Sequence, residues 1–200
     1  MTQTQQTPSK SILICGVGAL GSHVAMALRN HPGGLHLLDM DRVESKNALN
    51  QVYPRGTAGK LKADTLRQVL LSCHGVTARA YTVELTDFNA AKIITPDLGL
   101  VVDCFDNHAA RALAAKRAGE AHVPILHAGI SADASAGVVS WTLPEDQETP
   151  GVATCTDPTV LPAHTLVAAL AARAVMEFLA SGQRVEYRLA GSRVYASSRA

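Results

Sequence analysis

The segment Gly16-Val17-Gly18-Ala19-Leu20-Gly21 spaces its glycines as G-x-G-x-x-G. Glycines at this spacing permit a tight turn and let the backbone approach a phosphate. The N-terminus of a following helix can then hold that phosphate. Asp39 lies downstream, where a carboxylate can accept hydrogen bonds from ribose hydroxyls. The pattern reads as a nucleotide site. Alone it leaves ATP, NAD and FAD open, and a tight turn without a ligand is the other reading. Two further blocks concentrate polar side chains. One is Asp39-Met40-Asp41-Arg42-Val43 leading to Asn47-Ala48-Leu49-Asn50-Gln51, then Gly59-Lys60-Leu61-Lys62-Ala63. The other is Asp103-Cys104-Phe105-Asp106-Asn107, with Arg111 after it.

The elements that must position these blocks alternate between strand and helix. Ser11–Cys15, Leu35–Leu38 and Leu98–Val102 are short apolar runs of the kind that form strands buried on both faces. Val76–Val83, Pro124–His127 and Gly137–Thr142 read as further strands. Helical spacing covers Ala19–Arg29, Lys60–Cys73 and Asn107–His122, and another helix runs from a Thr86 cap to Ile94. This alternation predicts an α/β fold, a doubly wound, Rossmann-like and mostly parallel sheet with helices on both faces. Residues 143–162, with Pro144, Pro150, Pro158 and Pro162, predict a long crossover loop. A long helix from about Ala163 to Leu179 stops at Gly182. A hairpin follows, Arg184–Leu189 and Arg193–Ala196 around Gly191. Residues 1–10 read as a flexible N-terminus and 11–200 as a single domain.

Taken in order, the blocks resemble the ThiF/HesA/MoeB adenylyltransferases, the catalytic fold of ubiquitin-activating enzymes. That family carries G-x-G-x-x-G, D-x-D-x-V-x-x-S-N-L-x-R-Q, G-x-x-K-A and D-C-x-D-N, and the resemblance runs from about residue 11 to 181. It implies an ATP-dependent adenylyltransferase, with magnesium, acting on the C-terminal glycine carboxylate of a ubiquitin-like or sulfur-carrier protein. It implies a homodimer as well. Such chemistry needs cations placed around the charge that builds on the phosphates. By the resemblance, Gly16, Gly18, Ala19, Leu20 and Gly21 cradle the nucleotide. Asp39 holds the ribose, with Asp41 beside it. Asn47 and Gln51 lie near the triphosphate. Lys62 contacts the phosphates, with Lys60 as a second candidate. Asp106, next to Asn107, holds magnesium. Asp106 reads equally as a helix N-cap, and Arg111 as a structural ion-pair partner.

The chain departs from that pattern at Asn50, where the family has an arginine that binds phosphate. An asparagine supplies neither the charge nor the bidentate fork. Arg55 lies close enough in sequence to fill the gap. Cys155 occupies the crossover loop, where some relatives capture the acyl group on a cysteine; an unreactive loop thiol is the alternative. The zinc cysteines that flank this loop in many relatives are missing, and no C-x-x-C pair exists, so zinc is not expected. Cys15 and Cys104 read as core thiols.

Composition narrows the classes. Lys plus Arg total 18 against 17 Asp plus Glu, a net charge of +1, and aromatics are 4%, which disfavours nucleic-acid binding. The long apolar helix carries His164, Arg173 and Glu177, which fits an internal helix better than a membrane span. With no apolar leader in MTQTQQTPSK, a cytoplasmic protein is expected. Two rivals remain. An NAD-dependent oxidoreductase explains the glycine loop and Asp39 but neither later block. A catalytically impaired scaffold member of the family is favoured by Asn50.

Overall fold

The computed structural model describes residues 9–144 and 158–199. The expectations for residues 1–8, for most of the 143–162 loop and for Cys155 lie outside the described residues.

One sheet of eight strands runs through the molecule in the order β3-β2-β1-β4-β5-β6-β7-β8. The strands are β1 Ile12–Cys15, β2 Leu35–Leu38, β3 Ala78–Tyr81, β4 Leu100–Asp103, β5 Ile125–Ile130, β6 Ala136–Ser140, β7 Arg184–Ala190 and β8 Arg193–Arg199. The first five pair in parallel. The last three join antiparallel, each to the one before. The fold is thus the Rossmann-like α/β class, with an antiparallel extension at one edge.

β1 and β4 are buried along their whole length, as strands covered on both faces must be. On one face, α1 (Ala19–Ala27), α2 (Lys62–His74) and α5 (Leu161–Ser181) enclose a core that includes Ile12, Ile14, Leu66, Val102, Leu126 and Val175. On the other, α3 (Asp87–Ile93) and α4 (His108–Glu120) cover Leu13, Cys15 and Val101. α5 is the one described helix long and apolar enough to cross a bilayer. It buries His164, Val167, Ala168, Ala171 and Val175 against the fold.

Several boundaries differ from the sequence expectation. α5 starts at Leu161 rather than Ala163, with Pro162 in its first turn. Proline is tolerated there because its missing N–H would have had no intrahelical acceptor. Thr86 is the N-cap of α3, as expected, in a capping box in which Asn89 Oδ1 accepts the Thr86 N–H at 2.9 Å. The N-cap of α4 is Asn107, not Asp106; Asn107 Oδ1 accepts the Ala110 N–H at 2.9 Å. Short 3-10 turns at Ser45–Leu49 and Arg55–Thr57, which periodicity does not signal, shape the connection from β2 to α2.

The strand order places the site. β1 has β2 on one side and β4 on the other, so the chain leaves β1 and β4 in diverging directions. A crevice opens at their carboxyl ends, the usual ligand position in open α/β sheets. The glycine loop follows β1 there, and the Asp103–Asn107 turn follows β4.

Candidate functional site

α1 begins directly behind Gly18, so its first-turn N–H groups lack intrahelical acceptors. Gly16 has φ +77°, and a Cβ there would stand 2.9 Å from the Cys104 carbonyl oxygen. A Cβ at Gly18 would meet nothing within 4 Å. The loop is pinned through Val17. Its N–H donates to Asp39 Oδ2 at 2.8 Å, and its carbonyl accepts the Tyr53 hydroxyl at 2.6 Å. Asp39 Oδ1 accepts the Asp41 N–H at 2.8 Å. Burial pushes the Asp39 carboxyl above its ordinary value, while the Lys62 ammonium and the two N–H donors pull it down. Burial, then the charge of Asp39, pushes the Tyr53 phenol up as well.

Lys62 opens α2 and is buried, and its Nζ lies 2.8 Å from Asp41 Oδ2. Asp41 is the more exposed partner, with 56% of its side chain open to solvent against 10% for Lys62. The lysine is therefore held in place by a carboxylate that is open to solvent. Asp106 is exposed, and its Oδ1 accepts a long hydrogen bond from Asn107 Nδ2 at 3.5 Å.

A cavity of about 1810 Å³ brings together Gly16, Gly18, Ala19, Leu20, Asp39, Asp41, Gln51, Lys62, Asp106 and Asn107. The other expected residues stand elsewhere. Gly21 lies behind the loop, where a Cβ would come within 1.8 Å of the Gly16 carbonyl oxygen. Asn47 is buried and directs Oδ1 to the Glu44 N–H at 2.7 Å, capping a turn. Asn50 is buried beside α1, with its carbonyl 3.1 Å from His23 Nε2. Arg55 is exposed on the 3-10 turn after Pro54 and does not line the cavity. Cys15 and Cys104 are thiols whose pKa burial raises.

The fit to a nucleoside triphosphate rests on this geometry. Gly18 leaves open the space that a phosphate needs, at a helix N-terminus. Asp39 uses one acceptor site on each oxygen, and a carboxylate has about four, so ribose hydroxyls can still be bound. No group of three carboxylate, histidine or cysteine side chains able to hold a metal occurs among the described residues. Asp106 alone suits magnesium, which is usually held by one or two carboxylates together with substrate phosphates and water.

No sequence motif marks Tyr53 or His127 as part of the nucleotide site. Tyr53 clamps the loop from far along the chain, and only its aromatic character near Gln51 could have signalled it. His127 lies under the Asp103–Asn107 turn, hydrogen-bonded to Asp103. Arg111 spends its donors within the protein, on the Phe105 and Ala128 carbonyls, and also lines the cavity.

Comparison with known proteins agrees with the fold. A family model described as "ThiF family" matches residues 2–190. Ubiquitin-like modifier-activating enzyme 5 of Oryza sativa subsp. japonica is 29% identical over 148 residues, 67% of this chain and 35% of that protein. The adenylyltransferase and sulfurtransferase uba4 of Emericella nidulans is 39% identical over 106 residues, 51% of this chain and 22% of that protein. The chain thus spans about a third or less of the length of these relatives. The crystal structure of E. coli MccB with ATP superposes with a TM-score of 0.75 at 18% identity, over 96% of this chain and 64% of that one. PaaA superposes with a TM-score of 0.75 at 15% identity, over 95% and 63%.

Proposed function

The chain belongs to the ThiF family, and on that premise we propose that it uses ATP to adenylate the C-terminal carboxylate of a ubiquitin-like or sulfur-carrier protein. One observation carries the reading: the glycine loop, Lys62 and Asp106, which come from three separate stretches of sequence, line one cavity. An NAD-dependent oxidoreductase would need the loop and Asp39 but has no use for the other two.

In the proposed reaction a carboxylate oxygen of the carrier attacks the α-phosphorus. The bond to the β-phosphate oxygen breaks, and pyrophosphate leaves with that electron pair. The N–H groups at the start of α1 orient the phosphates. Asp39 fixes the ribose. Lys62 exchanges its partner, leaving Asp41 for a phosphate oxygen, and so meets developing negative charge with a cation already in place. Asp106 would hold magnesium, which when bound offsets phosphate charge. The cavity runs on past Gly129 and Val138 to Arg188 and Tyr195, where the tail of the carrier can enter. Action as a homodimer in the cytoplasm belongs to the same reading.

The test is calorimetric titration of ATP with magnesium, and separately of NAD, into wild type and Asp106→Ala. Binding of ATP that weakens in the variant is expected, since the acid that would hold magnesium against the phosphates is then lost. NAD binding without ATP binding overturns the proposal.

A further inference from the structure

Asp106 has little to hold its own side chain in place, yet the backbone that carries it is tightly held. We infer that His127, acting through Asp103 together with Arg111, is a positioning residue for Asp106. The inference rests on Asp106 being the acid that holds magnesium.

Asp103 ends β4, and its carboxylate is fully buried. His127 stands opposite it in register on β5, 1% exposed, with Nδ1 2.7 Å from Asp103 Oδ2. A carboxylate only accepts, so His127 supplies the proton of this bond. Asp103 Oδ1 accepts the Phe105 N–H at 3.0 Å. Arg111 of α4 reaches the same turn from above. Its Nε donates to the Phe105 carbonyl at 2.7 Å and one terminal nitrogen donates to the Ala128 carbonyl at 3.1 Å. The other terminal nitrogen lies 3.8 Å from Asp103 Oδ2.

Both backbone polar groups of Phe105 are therefore held by side chains. The carbonyl that Arg111 holds belongs to the peptide bond leading into Asp106. That bond sets where the Asp106 carboxylate can point. A buried charged cluster is an expensive way to fill space, because desolvation offsets much of its attraction and apolar side chains often stabilise as well. Here its hydrogen bonds converge on one turn and its neighbouring strand, which accounts for charge in a place where apolar packing would otherwise serve. Partners one shell behind a metal ligand typically change metal affinity 10–100-fold when removed.

The experiment is a titration of Mn2+ by electron paramagnetic resonance, in the presence of α,β-methylene-ATP. It uses wild type, Asp106→Ala, His127→Leu and His127→Asn, each first shown to be folded by thermal melting. His127→Leu, which has no donor, should bind Mn2+ about tenfold or more weakly, in step with Asp106→Ala. His127→Asn, whose side-chain N–H can take the place of Nδ1–H, should restore most of the affinity. Where His127→Leu does not fold, Arg111→Lys takes its place, since an ammonium cannot reproduce the planar fork that spans two carbonyls. Folded His127→Leu or Arg111→Lys binding like wild type, with Asp106→Ala weakened, overturns the inference and leaves the functional reading intact. Failure of wild type to bind Mn2+ with the nucleotide, or no effect in Asp106→Ala, overturns that reading and the inference with it.

Discussion

A methyl group added at Gly21 would stand 1.8 Å from the Gly16 carbonyl oxygen, whereas one added at Gly18 would meet nothing within 4 Å. The two glycines of one motif therefore answer to different constraints. Gly21→Ala forces α1 off the loop that precedes it, and a clash with backbone cannot be relieved by a rotamer change. It should lower the unfolding free energy by about 3 kcal/mol or more, at the upper end for overpacking. Gly18→Ala meets no neighbouring atom, but the ψ of −142° at Gly18 lies outside the regions open to alanine, so a cost of about 1–3 kcal/mol is expected, below that of Gly21→Ala. The Gly18→Ala methyl group would occupy the space left for a phosphate, so ATP binding should fall sharply. Urea denaturation and calorimetric titration of both variants separate the effects; a Gly18→Ala protein that binds ATP like wild type removes the loop from the nucleotide site. The loop and Asp39 were legible in sequence because their roles are local: a turn, a helix start, a strand end. Tyr53 and His127 were not, because each acts on backbone that only the sheet brings near. Asn47 looked like a ligand by its place in the motif, yet its side chain caps a turn, a use that spacing cannot distinguish.

At the scale of elements, the turn Asp106-Asn107 divides two duties between neighbours. Asn107 caps α4, its Oδ1 accepting the Ala110 N–H, and Asp106 does not. Both residue types are favoured N-caps, so sequence left the assignment open. Asn107→Ala should cost about 1 kcal/mol of stability, and Asn107→Asp much less, because aspartate caps equally well. Chemical denaturation of the two variants checks this; equal losses would mean that the amide, not the capping oxygen, matters. The strands were readable from apolar runs, and α2 and α5 end at Gly75 and Gly182 in the left-handed conformation that glycine favours. The 3-10 turns between β2 and α2 were not readable. They have no period to follow and are fixed by tertiary bonds, such as the Val43 N–H donating to the Lys60 carbonyl at 2.8 Å. That is also why Arg55, near Gln51 in sequence, stands outside the cavity.

The whole molecule joins a parallel half, which carries the glycine loop, Asp39 and Asp106, to an antiparallel half on the far side of β5. Nothing in the strand pattern requires the halves to unfold together, and chains of this length often populate intermediates. The packing argues that they do. One apolar core runs without a break from Ile14 and Leu37 in the parallel strands to Val139, Tyr187 and Leu189 in the antiparallel ones. α5 ties them, since it lies against α1 and against β5, β6 and β7. At Gly137 the approach is so close that a Cβ would come within 2.6 Å of Val167. The single tryptophan is well placed to report on this. Trp141 is buried just after β6, its Nε1–H donates to the Val185 carbonyl at 3.0 Å, and its ring lies 4.6 Å from that of Phe178 on α5. Its fluorescence follows the antiparallel corner, while far-ultraviolet circular dichroism follows helices across the whole sheet. With one continuous core the two urea curves should coincide. A Trp141 transition that precedes the loss of helix would mean that β6–β8 detach first, and that the mouth of the cavity past Val138 opens independently of its nucleotide end.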